Sequence, residues 1–128
     1  MVATLTAAGL CGLIFMWLSI RVVAVRRSAK VSLGDGGDLL LLGRIRAHAN
    51  FAEYVPIILL LMLAIELSLK ATPPKLMVLA LALPVVRIAH AFGLAKDGAN
   101  PLRVVGALGT WILLAGLSVW ALIVAAGY

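Results

Sequence analysis

Val104–Tyr128 runs for 25 residues without a charged side chain, and Met1–Ile20 contains none either. A helix needs about 20 consecutive apolar residues to cross the hydrocarbon core of a bilayer, which is about 30 Å thick. Both stretches are long enough, and they stand at opposite ends of a chain of 128 residues. The rest of the chain is also apolar: 64% of all residues are hydrophobic and 12% are charged, with a mean hydropathy of +1.15. A soluble domain carries about 45–50% apolar and about 25% charged residues. A 13.4 kDa globule has too small an interior to hide this much apolar surface from water. Lipid is the natural solvent, and the length predicts a single domain over residues 1–128.

The punctuation divides the chain into four helices. The first covers residues 2–30. Its positive charges, Arg21, Arg26, Arg27 and Lys30, follow the apolar run instead of preceding it, which reads as a membrane span and not as a signal peptide. Ser32–Asp38 holds three glycines and two aspartates and reads as a turn, with Asp38 placed to cap the next helix. It lacks the spacing of a phosphate-binding glycine loop, and no strand precedes it. The second helix covers residues 38–70, charged in its first part and apolar over Val55–Ile65, with Pro56 inside it as an expected kink. Thr72, Pro73 and Pro74 make a short connection in which Thr72 can cap the third helix, residues 75–95. A turn over residues 96–100 and an Asn100-Pro101 start lead into the fourth helix, residues 101–126. The predicted fold class is all-α, an integral membrane four-helix bundle.

A net charge of +6 would suggest nucleic acid in a soluble protein. Here it is a topology signal, and no nucleic-acid partner is expected. Arg21, Arg26, Arg27, Lys30, Arg44, Arg46, Arg87, Lys96 and Arg103 fall at one membrane face, and only Lys70 and Lys75 at the other. The positive-inside rule then places the basic face in the cytoplasm and both termini on the non-cytoplasmic side. Short loops and a compact frame suggest a bacterial inner membrane. The single cysteine, Cys11, permits no intrachain disulfide, and its apolar neighbours predict an inert packed thiol. No metal site is expected, because His48 and His90 stand alone on separate helices. Gly9, Gly12, Gly106, Gly109 and Gly116 read as close helix contacts. Trp17, Trp111, Trp120 and Tyr128 read as lipid-facing or interfacial rings, and Glu66 with Lys70 as a surface pair of small worth.

Chemistry concentrates at the start of the second helix. Arg46, Asn50 and Glu53 have i, i+4, i+7 spacing and share one face at 3.6 residues per turn, with Tyr54 beside them. Arg44 and His48 lie on roughly the opposite face. An ionised group at the membrane centre costs about 2.5–3.5 kcal/mol on insertion scales, so this stripe should face protein or a water-filled cavity. Glu53 needs a cation, and Arg26, Arg27, Arg87 and Arg103 can approach it from the other helix ends. Guanidinium forks grip carboxylates, and a carboxylate takes an ammonium, so the set suits a small anionic ligand carrying an amine. The same residues would also serve as an ion-pair network that only holds helices together.

The segment Arg46, His48, Asn50, Glu53 and Pro56 resembles the second-helix signature R-x-H/Q-x-N-x-x-E-x-x-P of the MAPEG family, the membrane-associated proteins of eicosanoid and glutathione metabolism. Val25–Ser32 is similar to the paired-arginine end of the first helix in the leukotriene-forming synthases of that family. Helix order and lengths extend the resemblance over essentially the whole chain. It implies a homotrimer that binds glutathione between neighbouring subunits near the cytosolic face, takes lipophilic small molecules from the membrane lipid, and conjugates glutathione to lipophilic electrophiles or reduces lipid hydroperoxides. By the family pattern Arg46, Asn50, Glu53 and Tyr54 would hold glutathione, with Arg26, His48 and His90 helping. Arg103 would stabilise the thiolate, and Arg27 would serve the second substrate.

The third helix departs from that pattern. His90 and Leu94 stand where the synthases carry tyrosines; His90 can still hydrogen-bond a ligand and Leu94 cannot. A non-catalytic protein that uses the same scaffold to bind lipid or a partner protein is therefore the alternative. A small four-helix drug exporter is similar in size, but depends on an acid in the first helix, and this chain has none there.

Overall fold

The computed structural model describes residues 1–94 and 100–127. It consists of four α-helices: α1 (Val2–Ala29), α2 (Leu39–Leu69), α3 (Pro74–Gly93) and α4 (Pro101–Ala125). No strand occurs among the described residues. All four helices are long and apolar enough to cross a membrane. In lipid every backbone N–H and C=O must be satisfied within the chain, and a helix does this within one segment. The chain is thus an all-α integral membrane protein, with helix ends within two residues of those expected from sequence. The turn assigned to Lys96 and its neighbours, and the interfacial role of Tyr128, fall outside the described residues.

Side chains close two of the helix starts as expected. Asp38 Oδ1 accepts from the Leu41 amide at 3.0 Å, and Asn100 Oδ1 from the Leu102 amide at 2.9 Å. The third start differs. Pro73 is the residue preceding α3, and the Thr72 hydroxyl does not cap it but donates to Glu66 on α2. Both α2 and α3 run on through their internal prolines, Pro56 and Pro84.

The helices are apolar on nearly all sides, so hydrophobicity alone does not choose the buried face. The buried stripes differ in size from helix to helix. On α1 the buried stripe is Ala3, Ala7, Cys11, Ile14 and Leu18, mostly small residues at three- and four-residue spacing, while Leu5, Leu13, Met16 and Ile20 point outward. On α2 it is Ala47, Phe51, Val55, Ile58, Met62 and Ile65. α1 packs on α2 and α3, α4 packs on α3 and α2, and α1 and α4 do not meet. The middle pair α2 and α3 is therefore flanked by α1 on one side and α4 on the other.

The α3–α4 pair is the tightest, and glycine explains it. A Cβ on Gly106 would stand 2.5 Å from the His90 backbone, and one on Gly109 would stand 2.7 Å from the Val86 side chain. Small residues permit this backbone approach, which in lipid supplies the packing that hydrophobicity cannot. Gly9, Gly12 and Gly116 were expected to do the same, but nothing lies within 4 Å of the position a Cβ would take on them. Within one chain they face outward.

Glu66 is not the surface partner of Lys70. It is 2% exposed and turns to the first turn of α1, where its two carboxylate oxygens accept from the Ala3 amide at 3.0 Å and the Thr4 amide at 2.9 Å. The Thr72 hydroxyl donates to it as well, and the ammonium of Met1 lies 3.6 Å away. The first amides of a helix lack partners in their own helix and carry the positive end of its dipole. A carboxylate from α2 answers both needs, so a long-range contact replaces the missing local cap of α1. Ile65 and Ser68 of α2 share a groove with Ala121 and Val124 of α4, so the C-terminal end of α4 stands beside the same end of α2 that receives the N-terminus. Both termini are on one side of the membrane-spanning body.

Replacing Glu66 by Ala removes the acceptor for two amides and one hydroxyl. Hydrogen bonds to a charged group contribute about 1.5–3 kcal/mol each, so thermal unfolding in detergent should show a clear drop in stability, with faster hydrogen exchange confined first to the Ala3 and Thr4 amides. Gly106→Ala forces α3 and α4 apart. Overpacking of this kind costs about 1–3 kcal/mol, and the same melting assay should register it, whereas Gly116→Ala should melt like the wild type as an isolated chain.

Candidate functional site

Three helix ends converge at the basic side of the molecule. Arg46 and Asn50 come from the first twelve residues of α2, His90 from the last turn of α3 with Leu94 just beyond it, and Arg103 from the first turn of α4. Together they line a cavity of about 100 Å³. Glycines set its walls. The backbone at Arg103 lies directly against Gly93, and a Cβ on Gly43 would meet the Leu94 carbonyl at 2.6 Å. A larger residue would push Arg103 away from α3 at Gly93 and Leu94 away from α2 at Gly43.

His90 is 6% exposed, and its Nδ1 has no hydrogen-bond partner. Burying a polar nitrogen without a partner costs free energy; this atom is closed off within the chain, although the His90 residue lines the cavity. Two guanidinia, an amide and an imidazole line this space, and among the described residues its one apolar wall is Leu94. The volume is well below the 300–1,000 Å³ typical of small-molecule sites.

Beneath the cavity lies Arg87, 1% exposed in the core. Its Nη2 donates to Asn50 Oδ1 at 2.8 Å and its Nη1 to Thr110 Oγ1 at 3.1 Å, and the guanidinium carbon stands 5.6 Å from the centre of the Phe51 ring. Thr110 in turn donates to the Gly106 carbonyl at 2.7 Å. The residue was expected among the cations approaching Glu53. It goes instead to the neutral oxygens of α2 and α4, because its side chain points inward from α3. Asn50 therefore has its acceptor occupied within the chain, and its amide N–H groups are what remains for a ligand.

The other residues singled out from sequence are not gathered into this cavity. Glu53 is exposed on the outer face of α2, and the one ion pair among the described residues is that of the N-terminus with Glu66. Tyr54 accepts from the Trp111 indole at 3.2 Å and joins α2 to α4. His48 turns to α1: its Nε2 lies 3.0 Å from Ser19 Oγ, and its ring stacks on Phe15 at 4.5 Å. This is the opposite face from Arg46, as helical spacing predicts. Arg26 folds back on the following turn and donates to the Gly34 carbonyl at 2.7 Å. Arg27 is exposed.

Some residues that build the site escaped the sequence reading. Gly43 and Gly93 were not singled out, although a glycine at each helix end near a basic cluster is a weak signal of close approach. Thr110 carries no signal at all: one hydroxyl in an apolar helix gains meaning only from Arg87 opposite it.

The fold and the cavity define an integral membrane protein of four spans with a small polar cavity at its basic end. Residues 4–123 match the MAPEG family, and the chain belongs to that family. It is similar to the inner membrane protein YecN of Escherichia coli strain K12, with 43% identity over 68 residues, 53% of this chain and 51% of the relative. The same protein of Escherichia coli O6:H1 strain CFT073 gives the same identity and coverage. The match therefore spans about half the length of these relatives.

The Arg87 bonds give a direct test of the framework. Asn50→Leu leaves a guanidinium N–H unpaired in the core, and Thr110→Val leaves another. A lost hydrogen bond to a charged group costs about 1.5–3 kcal/mol, and the two losses should fail to add because both act on one side chain. Thermal unfolding of the two single variants and the double variant in detergent measures this coupling.

Proposed function

We propose that this protein is a membrane-embedded glutathione transferase that joins glutathione to lipophilic electrophiles and reduces lipid hydroperoxides. The observation that carries the reading is the small polar cavity of Arg46, Asn50, His90 and Arg103 in a chain that is otherwise apolar. Two guanidinia suit the carboxylates of a thiol tripeptide, and the His90 ring on the cavity wall would offer it a hydrogen bond. Arg103 is the cation placed beside the sulfur. A thiol has an ordinary pKa near 8.5, so little thiolate exists at neutral pH, and a neighbouring positive charge favours the anion. The thiol proton passes to water, and the thiolate attacks the electrophilic carbon to form the C–S bond while the bond from that carbon to a leaving group breaks, or while the pair of a conjugated double bond shifts away and is protonated. With a hydroperoxide, two thiols become a disulfide as the peroxide is reduced to an alcohol and water.

The exposed charges support a site completed by neighbouring copies. Arg46, Glu53 and Arg103 are all exposed in one chain, and a charged side chain turned toward acyl chains is costly. A homotrimer would cover these groups, enlarge the cavity to the size of glutathione and set Glu53 against the ligand ammonium. Arg27, also exposed, would meet the second substrate. Arg26, His48 and Tyr54 are engaged by Gly34, Ser19 and Trp111, so each would exchange that partner for the ligand. The lipophilic substrate would enter sideways from the membrane lipid. The relative's inner-membrane name supports a bacterial inner membrane for this chain, and the positive-inside rule favours both termini on the non-cytoplasmic side.

Leu94 on the cavity wall favours a second reading, in which the scaffold binds lipid or a partner protein without catalysis. Arg103→Ala separates the two. Calorimetry at millimolar glutathione should show binding to the wild type, and the thiolate band in the ultraviolet difference spectrum should disappear in Arg103→Ala while the melting temperature and the number of copies per complex hold. Absence of glutathione binding to the wild type sinks the transferase reading. A thiolate band unchanged in the variant removes Arg103 from its assigned role.

A further inference from the structure

On the side of the molecule away from α4, the last charge-free turn of α1 meets the end of α3. Arg21 lies here, the first charged side chain after the N-terminal apolar run. Its guanidinium carbon is 4.3 Å from the centre of the Trp17 ring and 5.6 Å from that of Phe92, and the two rings are themselves 5.6 Å apart. The guanidinium is held against two aromatic faces from two helices, a placement that cation–π attraction and weak guanidinium hydration both favour. Its Nη1 is buried and has no hydrogen-bond partner. The acids of the described residues are engaged or placed elsewhere: Asp35 and Asp38 serve the turn before α2, Glu53 faces outward from α2, and Glu66 caps α1 at the other end.

The same two rings form the upper wall of an open apolar groove of about 410 Å³, which continues down between α1 and α3 over Leu13, Ile14 and Ile88. A fixed cation thus stands at the head of a slot that opens sideways along the span. We infer that Arg21 and this groove form a binding site for an anionic phospholipid, with the headgroup phosphate on the guanidinium and one acyl chain in the groove. Charge selects this occupant. A phosphodiester brings an anion to the depth where the charge-free run of α1 ends, with a hydrocarbon chain attached that must run toward the membrane centre. Basic clusters at that depth attract anionic lipid; a free arginine there would do so without selectivity, whereas this one is clamped by two rings that also line the chain slot. The site shares no residue with the cavity of Arg46 and Arg103, and its occupancy does not depend on the transferase reading.

The test uses the whole chain, purified in detergent and mixed with phosphatidylglycerol or with phosphatidylcholine of the same acyl chains. Native mass spectrometry counts the lipid retained. The wild type should retain phosphatidylglycerol over phosphatidylcholine by about five-fold, the ratio expected from one basic residue at an anionic headgroup. Arg21→Ala should bring that ratio near one, and Ile88→Trp, which fills the groove and keeps the arginine, should lower retention of both lipids. Lys75→Ala, at the opposite membrane end, should behave like the wild type. Equal retention of the two lipids by the wild type overturns the inference, as does unaltered selectivity in Arg21→Ala. If Arg21→Ala changes the number of copies per complex while lipid retention holds, the arginine belongs to a contact between copies and the lipid site is wrong. Should Arg21→Ala fail to fold, Ile88→Trp decides: wild-type retention of both lipids rejects the groove.

Discussion

Arg87 enters the core from α3 with no ion pair among the described residues, and α2 and α4 each supply one oxygen to it while its Nε stays unpartnered. Its two terminal nitrogens reach Asn50 on one neighbour and Thr110 on the other. In hydrocarbon a guanidinium with free N–H groups has no water to turn to, so each partner becomes a fixed point of the packing. Thr110 can meet it only because Gly106, one turn earlier, lets α4 come against the backbone at His90. That approach carries Arg103 to the edge of the cavity. The buried bond and the exposed-side cavity are thus two levels of one arrangement, with Asn50 belonging to both.

The two membrane ends use charge in different ways. At the terminal end a single carboxylate, Glu66, is withdrawn from solvent to close the open amides of α1, and it acts as a local cap supplied from a distant part of the chain. At the other end an excess of arginine is distributed among separate tasks. Arg26 closes its own turn, Arg21 rests on two aromatic rings, Arg87 braces the core, and Arg46 and Arg103 face the cavity. Residue type alone would not separate these roles. Each is set by which neighbours lie within reach of a long side chain whose stem can extend along apolar surface while its head finds a polar partner.

Much of this fold was legible from sequence because the bilayer imposes a coarse requirement on composition. Four apolar runs of spanning length, with aspartate, asparagine and proline at their borders, fixed the helices to within two residues. The stripe of Arg46, Asn50 and Glu53 was legible in part: Arg46 and Asn50 line the cavity, whereas Glu53 is exposed outside it. Helical angle also set His48 apart from that stripe, and the structure puts it against Ser19 and Phe15. What could not be read was the choice of partner. Glu66 and Lys70 have ideal i, i+4 spacing, yet the carboxylate turns to amides more than sixty residues away in sequence. Thr72 has the position of a cap and serves Glu66 instead. Gly9 and Gly12 look like Gly106 and Gly109, and only the second pair has a helix against it.

The sequence by itself determined that this chain lives in lipid, how many times it crosses, which end is basic and which face of α2 carries polar chemistry. These follow from transfer free energies and from the helical repeat, which act on neighbours along the chain. Tertiary structure alone decided that Arg87 joins Asn50 to Thr110, that His90 and Arg103 meet Arg46 across a cavity, and that Glu66 closes α1. Those outcomes depend on distances between helices, and such distances are set by where a missing side chain lets two backbones touch, a condition that involves two segments at once and is written in neither of them.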